Sequence, residues 1–282
     1  MKVIGANLTS AGFTVRLRLL DMEVERLTNE FEVSSLRNFR TRTGSIIETV
    51  AFHVVNIKAE LTHTLMKALM RNICAQSSSG VYFPAAANTG LSTVNLVYRD
   101  ELSGVYQLLN GYIGSVSFDL STDTIPIAKF TLYFPQDVTS STFSSVTPED
   151  FVHPANITVS YYTGGSYTTF SASRLEFTID NSVVCDRILD GSFVCFSESL
   201  RATGSFEAVY PSTYSNVFEN FYKNGTLFGL RLQYTKASTS FTVFFPNVVI
   251  TGLDIFKDYG TVLVRFKTVY VASNNLIEFT ST

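Results

Sequence analysis

Apolar and polar residues alternate along much of this chain, and the alternation is interrupted twice. Phe118 and Leu120 point one way, Ser117 and Asp119 the other; Leu175, Phe177 and Ile179 alternate with Glu176 and Asp180. A period of two predicts strands with one buried face. The interruptions have helical spacing. Leu61, Leu65, Met66, Leu69, Met70 and Ile73 share one face of a first helix, and Tyr214, Val217, Phe218, Phe221 and Tyr222 one face of a second. Ser212 or Thr213 offers the second helix an N-cap, and Asn224-Gly225 reads as its end. The Gly pair in Tyr161-Tyr-Thr-Gly-Gly-Ser-Tyr167 reads as a hairpin turn. The expectation is a mostly β chain with two amphipathic helices.

The elements recur. Tyr98 and Tyr234 stand in similar strands at an offset of 136, Asp119 and Asp254 at 135, and Phe130 and Phe266 at 136. The helices are offset by 152 (Leu65 to Val217), so the first copy carries an insertion after its helix. It falls in Ala75–Leu91, rich in small residues, Gly and Pro, which reads as a loop. Upstream, Thr43-Gly-Ser-Ile46 resembles Thr203-Gly-Ser-Phe206, and Phe31-Glu-Val33 is a weak counterpart of Leu175–Asp180. The division is a first unit over 1–135, with an N-terminal extension and the insertion 75–91, a polar linker over 136–156, and a second unit over 157–282. Val15-Arg-Leu-Arg-Leu19 and the rest of 1–40 find no firm counterpart.

Composition narrows the setting. Hydrophobic residues make up 45% and charged residues 16% of the 282, against about 25% charged in an average soluble domain. So thin a charged skin suggests that partners cover part of the surface. The net charge of −3 offers no basic grip on nucleic acid. No apolar run reaches the roughly 18–20 residues of a membrane span, and the N-terminus has no apolar core of a signal peptide. The sequons at Asn7, Asn156 and Asn224 then read as chance matches. Cys185 and Cys195 flank Asp190-Gly191; a two-residue turn there pairs Asp186 with Cys195 and puts Cys185 on the other face. Three reduced thiols, with Cys74, are expected.

Chemistry is sparse. His53, His63 and His153 have no metal-ligand spacing, and neither a nucleophile elbow nor a phosphate-binding loop is present. Glu149-Asp150 reads as a pair of solvated loop charges. No catalytic residue, metal or cofactor is assigned.

Arg201-Ala-Thr-Gly-Ser-Phe-Glu207, the helix Tyr214–Lys223, Phe245-Pro-Asn-Val-Val-Ile-Thr-Gly252 and Tyr106–Phe118 together resemble the major tail tube proteins of long-tailed bacteriophages. The resemblance covers 40–134 and 170–272. It implies two tandem β-sandwich or barrel-like tube units, each with its helix outside, assembled as stacked rings around a channel for DNA. It implies a virion tail subunit assembled in the host cytoplasm, with itself and other tail proteins as partners. Two units per chain suggest a trimeric ring with pseudo-six-fold symmetry; a hexamer is the alternative. A baseplate hub or tail-tip ring, and a two-domain β-sandwich binding module, are competing readings. Asp119, Glu176, Asp180 and Asp254 are candidate lumen acids, since an acidic wall repels phosphates. Lys129 and Arg265 then sit away from the channel or neutralise these acids. Val81, Tyr82, Phe83 and Pro84 form a candidate contact with a neighbouring subunit.

Overall fold

A computed structural model describes residues 2–33, 45–84, 92–102, 104–135, 139–187, 193–197, 199–209, 212–256, 260–271 and 275–282. Strands β1 (Val3–Ser10), β2 (Phe13–Leu17), β3 (Leu19–Val33) and β4 (Ser45–Glu60) lead to helix α1 (His63–Ile73). A small hairpin, β5 (Gln76–Ser78) and β6 (Val81–Phe83), precedes β7 (Val94–Asp100), β8 (Val105–Ser121) and β9 (Ile127–Phe134). After β10 (Thr139–Ser140) and a 3-10 turn (Pro154–Asn156) come β11 (Ile157–Thr163), β12 (Ser166–Phe170) and β13 (Ala172–Asp180). A side hairpin, β14 (Val183–Arg187) and β15 (Phe193–Ser197), leads to β16 (Arg201–Val209) and helix α2 (Ser212–Asn224). The chain ends with β17 (Phe228–Lys236), β18 (Thr239–Phe256), β19 (Thr261–Thr268) and β20 (Glu278–Ser281). The protein is mostly β, as the alternation predicts.

The same set of antiparallel pairings occurs twice. In the first half β1 pairs β2 and β7, β3 pairs β4, β4 pairs β9, and β8 pairs β7, β9 and β10. In the second, β11 pairs β12 and β17, β13 pairs β16, β16 pairs β19, and β18 pairs β17, β19 and β20. Each half is thus two facing sheets that share one long strand, β8 or β18. Both opening hairpins turn through two residues of positive φ, Ala11-Gly12 (49° and 83°) and Gly164-Gly165 (57° and 87°). That is the conformation a two-residue hairpin needs to match strand twist.

The segment 3–25 is therefore made of ordinary strands of the first half. Register also moves two expected matches. Phe177 faces Gly204, which faces Phe266; Met22 faces Ile57, which faces Phe130. Since Phe130 corresponds to Phe266, Met22 corresponds to Phe177 and Ile57 to Gly204. The counterpart of 174–180 is 18–25, and Phe31–Val33 has another place; the likeness of Ser45-Ile46 to Ser205-Phe206 is fortuitous. Thr43 and Gly44 lie outside the described residues.

One further pairing joins the halves. β8 pairs β13 from Ser121↔Arg174 to Ser115↔Asp180. The result is a continuous antiparallel sheet in the order β3-β4-β9-β8-β13-β16-β19-β18. Its inner face carries Phe118, Leu120, Leu175, Phe177, Phe206 and Phe266, all buried. Phe118 and Phe177 meet at 4.9 Å across the junction. A single hydrophobic core runs through both halves.

The segment expected to be a linker is fastened to the first half. The buried Asn7 donates to Ser144 O at 3.0 Å, the Arg16 guanidinium lies 4.4 Å from the Phe143 ring centre, and Val152 donates to Leu61 O at 2.7 Å. Glu149 caps α1: its carboxylate accepts the Thr64 N–H at 3.0 Å and the Thr64 hydroxyl. A carboxylate at a helix N-terminus is stabilised by the helix dipole, so Glu149 is more than a solvated loop charge. The insertion has a partner too. Tyr82 pairs with Phe279 of β20 and stacks beneath the Arg71 guanidinium at 4.4 Å. Val81, Tyr82, Phe83 and Pro84 are half-buried; 85–91 lie outside the described residues.

Cys185 and Cys195 form a disulfide, with 4.1 Å between their Cα atoms. They face each other directly because Arg187 pairs with Phe193, which leaves only 188–192 in the connection. The expected two-residue turn, itself outside the described residues, placed the register one residue off, and a one-residue slip reverses every side chain. Cys74 remains a buried free thiol, which burial pushes well above its ordinary pKa.

Candidate functional site

The outer face of the eight-stranded sheet holds the acids singled out from the sequence. Glu176 lies directly opposite Asp119 across the junction between the halves. Both alternate with buried residues, so both side chains leave the core. Two carboxylates in such a position repel each other. Arg174, on the same strand and face as Glu176, resolves the conflict. Its Nε donates to Asp119 Oδ1 at 3.3 Å, its Nη2 to Asp119 Oδ2 at 3.1 Å, and Nη2 also reaches the Glu176 carboxylate. The hydrogen bond to Asp119 is the main cause of a raised Arg174 pKa.

Asp254 occupies the position in β18 that Asp119 has in β8: Asp119 pairs with Ile127 and Asp254 with Leu263. It accepts from Arg265 Nη2 at 2.5 Å. Arg265 therefore sits on the same face and neutralises the acid. Asp180 has a local task, accepting the Ser182 N–H at 2.8 Å where the chain leaves β13 for the side hairpin. Lys58 and Lys129 share an open trough on this face with Asp21 and Glu23. This face is consequently mixed in sign: of the two alternatives for Arg265, the one in which it neutralises the acid holds, and Lys129 lies on the same face. Arg174 was missed as a site residue. Arg18-Leu-Leu-Asp21-Met and Arg174-Leu-Glu176-Phe share a pattern that could have revealed both it and the first-half counterpart.

The rest of the molecule offers little reactive chemistry. Among the described residues, no three His, Cys, Asp or Glu side chains gather as a metal site. His63 stacks on Phe241 with ring centres 6.0 Å apart, and its Nε2 donates to Ser240 O at 3.3 Å, tying α1 to β18. His153 accepts the Ala155 N–H and starts the 3-10 turn. No described helix is long and apolar enough to cross a membrane. The chain matches no protein-family model and no curated protein.

Proposed function

We propose that this chain is a structural ring subunit, the building block of a tail tube around a DNA-conducting channel. The observation that carries the reading is the eight-stranded sheet. One face lies on the core; the other is bare and polar, with Asp119, Glu176 and Asp254 held by Arg174 and Arg265 and Lys58 and Lys129 in a trough with Asp21 and Glu23. Such a surface suits a channel wall. Each Lys or Arg free to bind a phosphate gains from counter-ion release and would hold passing DNA. Arg174 and Arg265 are engaged by carboxylates and compete poorly for phosphate.

The doubled pairing pattern supports two tandem tube-type units, and strand geometry favours three chains. Eight strands spaced about 4.8 Å and tilted about 40° occupy roughly 50 Å of circumference. Three chains give a backbone diameter of about 48 Å, and six about twice that. The narrower ring surrounds a duplex closely. Its other partners are further tail proteins at the ends of the stack, and its place is the virion tail after assembly in the host cytoplasm. A released particle meets an oxidising medium, where a Cys185–Cys195 bond persists.

Electron microscopy of the purified chain tests this. Rings or stacked tubes with the mass of three chains per layer are expected. A monomer at all concentrations overturns the reading, and isolated rings that never stack favour a tail-tip or hub ring. The wall is tested by Asp119→Lys with Asp254→Lys. The variant rings gain DNA binding that weakens steeply with salt, while unaltered rings bind none; equal binding by both defeats the non-adhesive wall.

A further inference from the structure

The junction between the halves uses two strand edges, and each has an unused counterpart. β8 joins β13 along Ser115–Ser121. The matching stretch of β18 is Val249–Phe256, which among the described residues is paired only on its β19 side. The counterpart of β13 is β3, which among the described residues is paired only with β4. These are the two ends of the eight-stranded sheet. An unpaired row of backbone donors and acceptors invites another strand.

Burial marks the same stretches as unfinished. Phe118, Leu120, Leu175 and Phe177 are covered inside the junction. Their counterparts on β18, Leu253 and Ile255, are only partly buried, and Phe256 is 42% exposed beside them. On β3 the counterpart Leu19 is only partly buried, Met22 is buried, and Leu20, the extra residue of the bulge between Leu19 and Asp21, is 49% exposed. The helices point the same way. α1 crosses to the second half, where Lys67 donates to Thr282 O and Arg71 to Ser281 Oγ, each at 2.9 Å. Among the described residues α2 packs on β18 of its own half, and its Tyr222 is 46% exposed.

We infer that β18 of one copy pairs antiparallel with β3 of the next copy, in the register of the internal β8–β13 junction. The pairing follows residue by residue. Leu120↔Leu175 becomes Ile255 against Leu19; Asp119↔Glu176 becomes Asp254 against Asp21; Phe118↔Phe177 becomes Leu253 against Met22. The facing acids recur, and so does their remedy. Arg265 already holds Asp254. Arg18, the counterpart of Arg174, stands three residues before Asp21; its Nε donates to Glu60 at 2.5 Å and its Nη1 to Glu149 O at 3.2 Å, which leaves Nη2 without a carboxylate among the described residues. The contact is head to tail, so repeating it generates a closed ring when the rotation closes. It rests on the ring reading above and specifies the residues that close it.

Paired cysteines test the register. Directly opposed strand residues come close enough for a disulfide, as Cys185 and Cys195 do. Asp21→Cys with Asp254→Cys, both at exposed or half-exposed positions, is expected to give covalent multimers on mild oxidation, with three chains the largest closed species. Neither single variant gives that ladder. Asp119→Cys with Glu176→Cys is the internal control and gives a link without change of mass. Leu253→Lys is expected to weaken assembly at least tenfold while the far-ultraviolet circular dichroism is unchanged. Assemblies that form normally with Leu253→Lys and never cross-link between positions 21 and 254 overturn this register and leave the ring reading standing. A chain that remains monomeric in the unaltered protein overturns both.

Discussion

The two halves share their strand pairings and differ in what fills them. In the first, α1 buries Leu65, Met66, Leu69 and Met70, and touches β1 and β2. In the second, α2 buries Phe218 among Tyr161, Phe170, Phe206 and Phe221, with ring centres 5.1–6.4 Å apart. The connections differ as well: α2 reaches β17 through 225–227, whereas 74–93 intervene between α1 and β7. The comparison teaches that the pattern of buried positions sets the pairing, and that residue identity decides how the volume is filled. Aliphatic and Met side chains tolerate repacking. A cluster of interlocked rings has fewer ways to close around a gap.

The largest effect should therefore come from Phe218→Ala. The residue is fully buried, and such a truncation costs about 3–5 kcal/mol. Leu69→Ala in the first half costs about 2–5 kcal/mol, toward the lower end if α1 settles into the gap. Denaturant unfolding measures both. Because one sheet and one core run through both halves, each variant should lower a single transition. Two transitions, with only one moved by Phe218→Ala, would show that the halves unfold independently.

A second difference is the lock on the side hairpin. Among the described residues, only the second half has a disulfide, between strands β14 and β15. Cys185→Ser should cost roughly 2 kcal/mol by freeing the unfolded chain, with m equal or slightly raised. In the unaltered protein, a thiol reagent should label nothing in the native state and one thiol, Cys74, after denaturation without reductant. Three labelled thiols after denaturation would contradict the disulfide.

The strands and helices were legible because each carries its own period. The Gly164-Gly165 turn was legible for the same local reason, and Gly225, with φ of 59°, ends α2 as expected. What failed was register between segments. The two-residue turn assumed at Asp190-Gly191 displaced Cys185 by one position, and nothing local in Leu175–Asp180 names β8 as its partner. The acids at 119, 176 and 254 were identifiable as residues outside the core. Their compensation was not, since Arg174 meets Asp119 only through the pairing of strands far apart in the sequence. Nor was the pairing of Tyr82 with Phe279 legible, since Phe279 stands in β20, far along the chain.

The smallest expected effect concerns α1, which bridges the halves. The His63 pKa is lowered: burial first, then Lys67, lowers it, outweighing the Ser240 carbonyl and Glu149, which raise it. An unfolded histidine titrates near 6.5 (an approximate value). As pH falls, the unfolded chain takes up the proton first, so stability is complete above about pH 6.5 and declines below it, toward the lowered native value. The slope cannot exceed about 1.4 kcal/mol per pH unit for one proton. His63→Gln keeps a donor beside Ser240 and has no such titration. The variant should match the unaltered protein within about 1 kcal/mol at pH 8 and lose less stability between pH 6.5 and 5. α2 has Ser215, Glu219 and Lys223 along one stripe, without histidine, so this acid sensitivity belongs to the contact between the halves. Identical pH profiles for the two proteins would show that His63 contributes none of it.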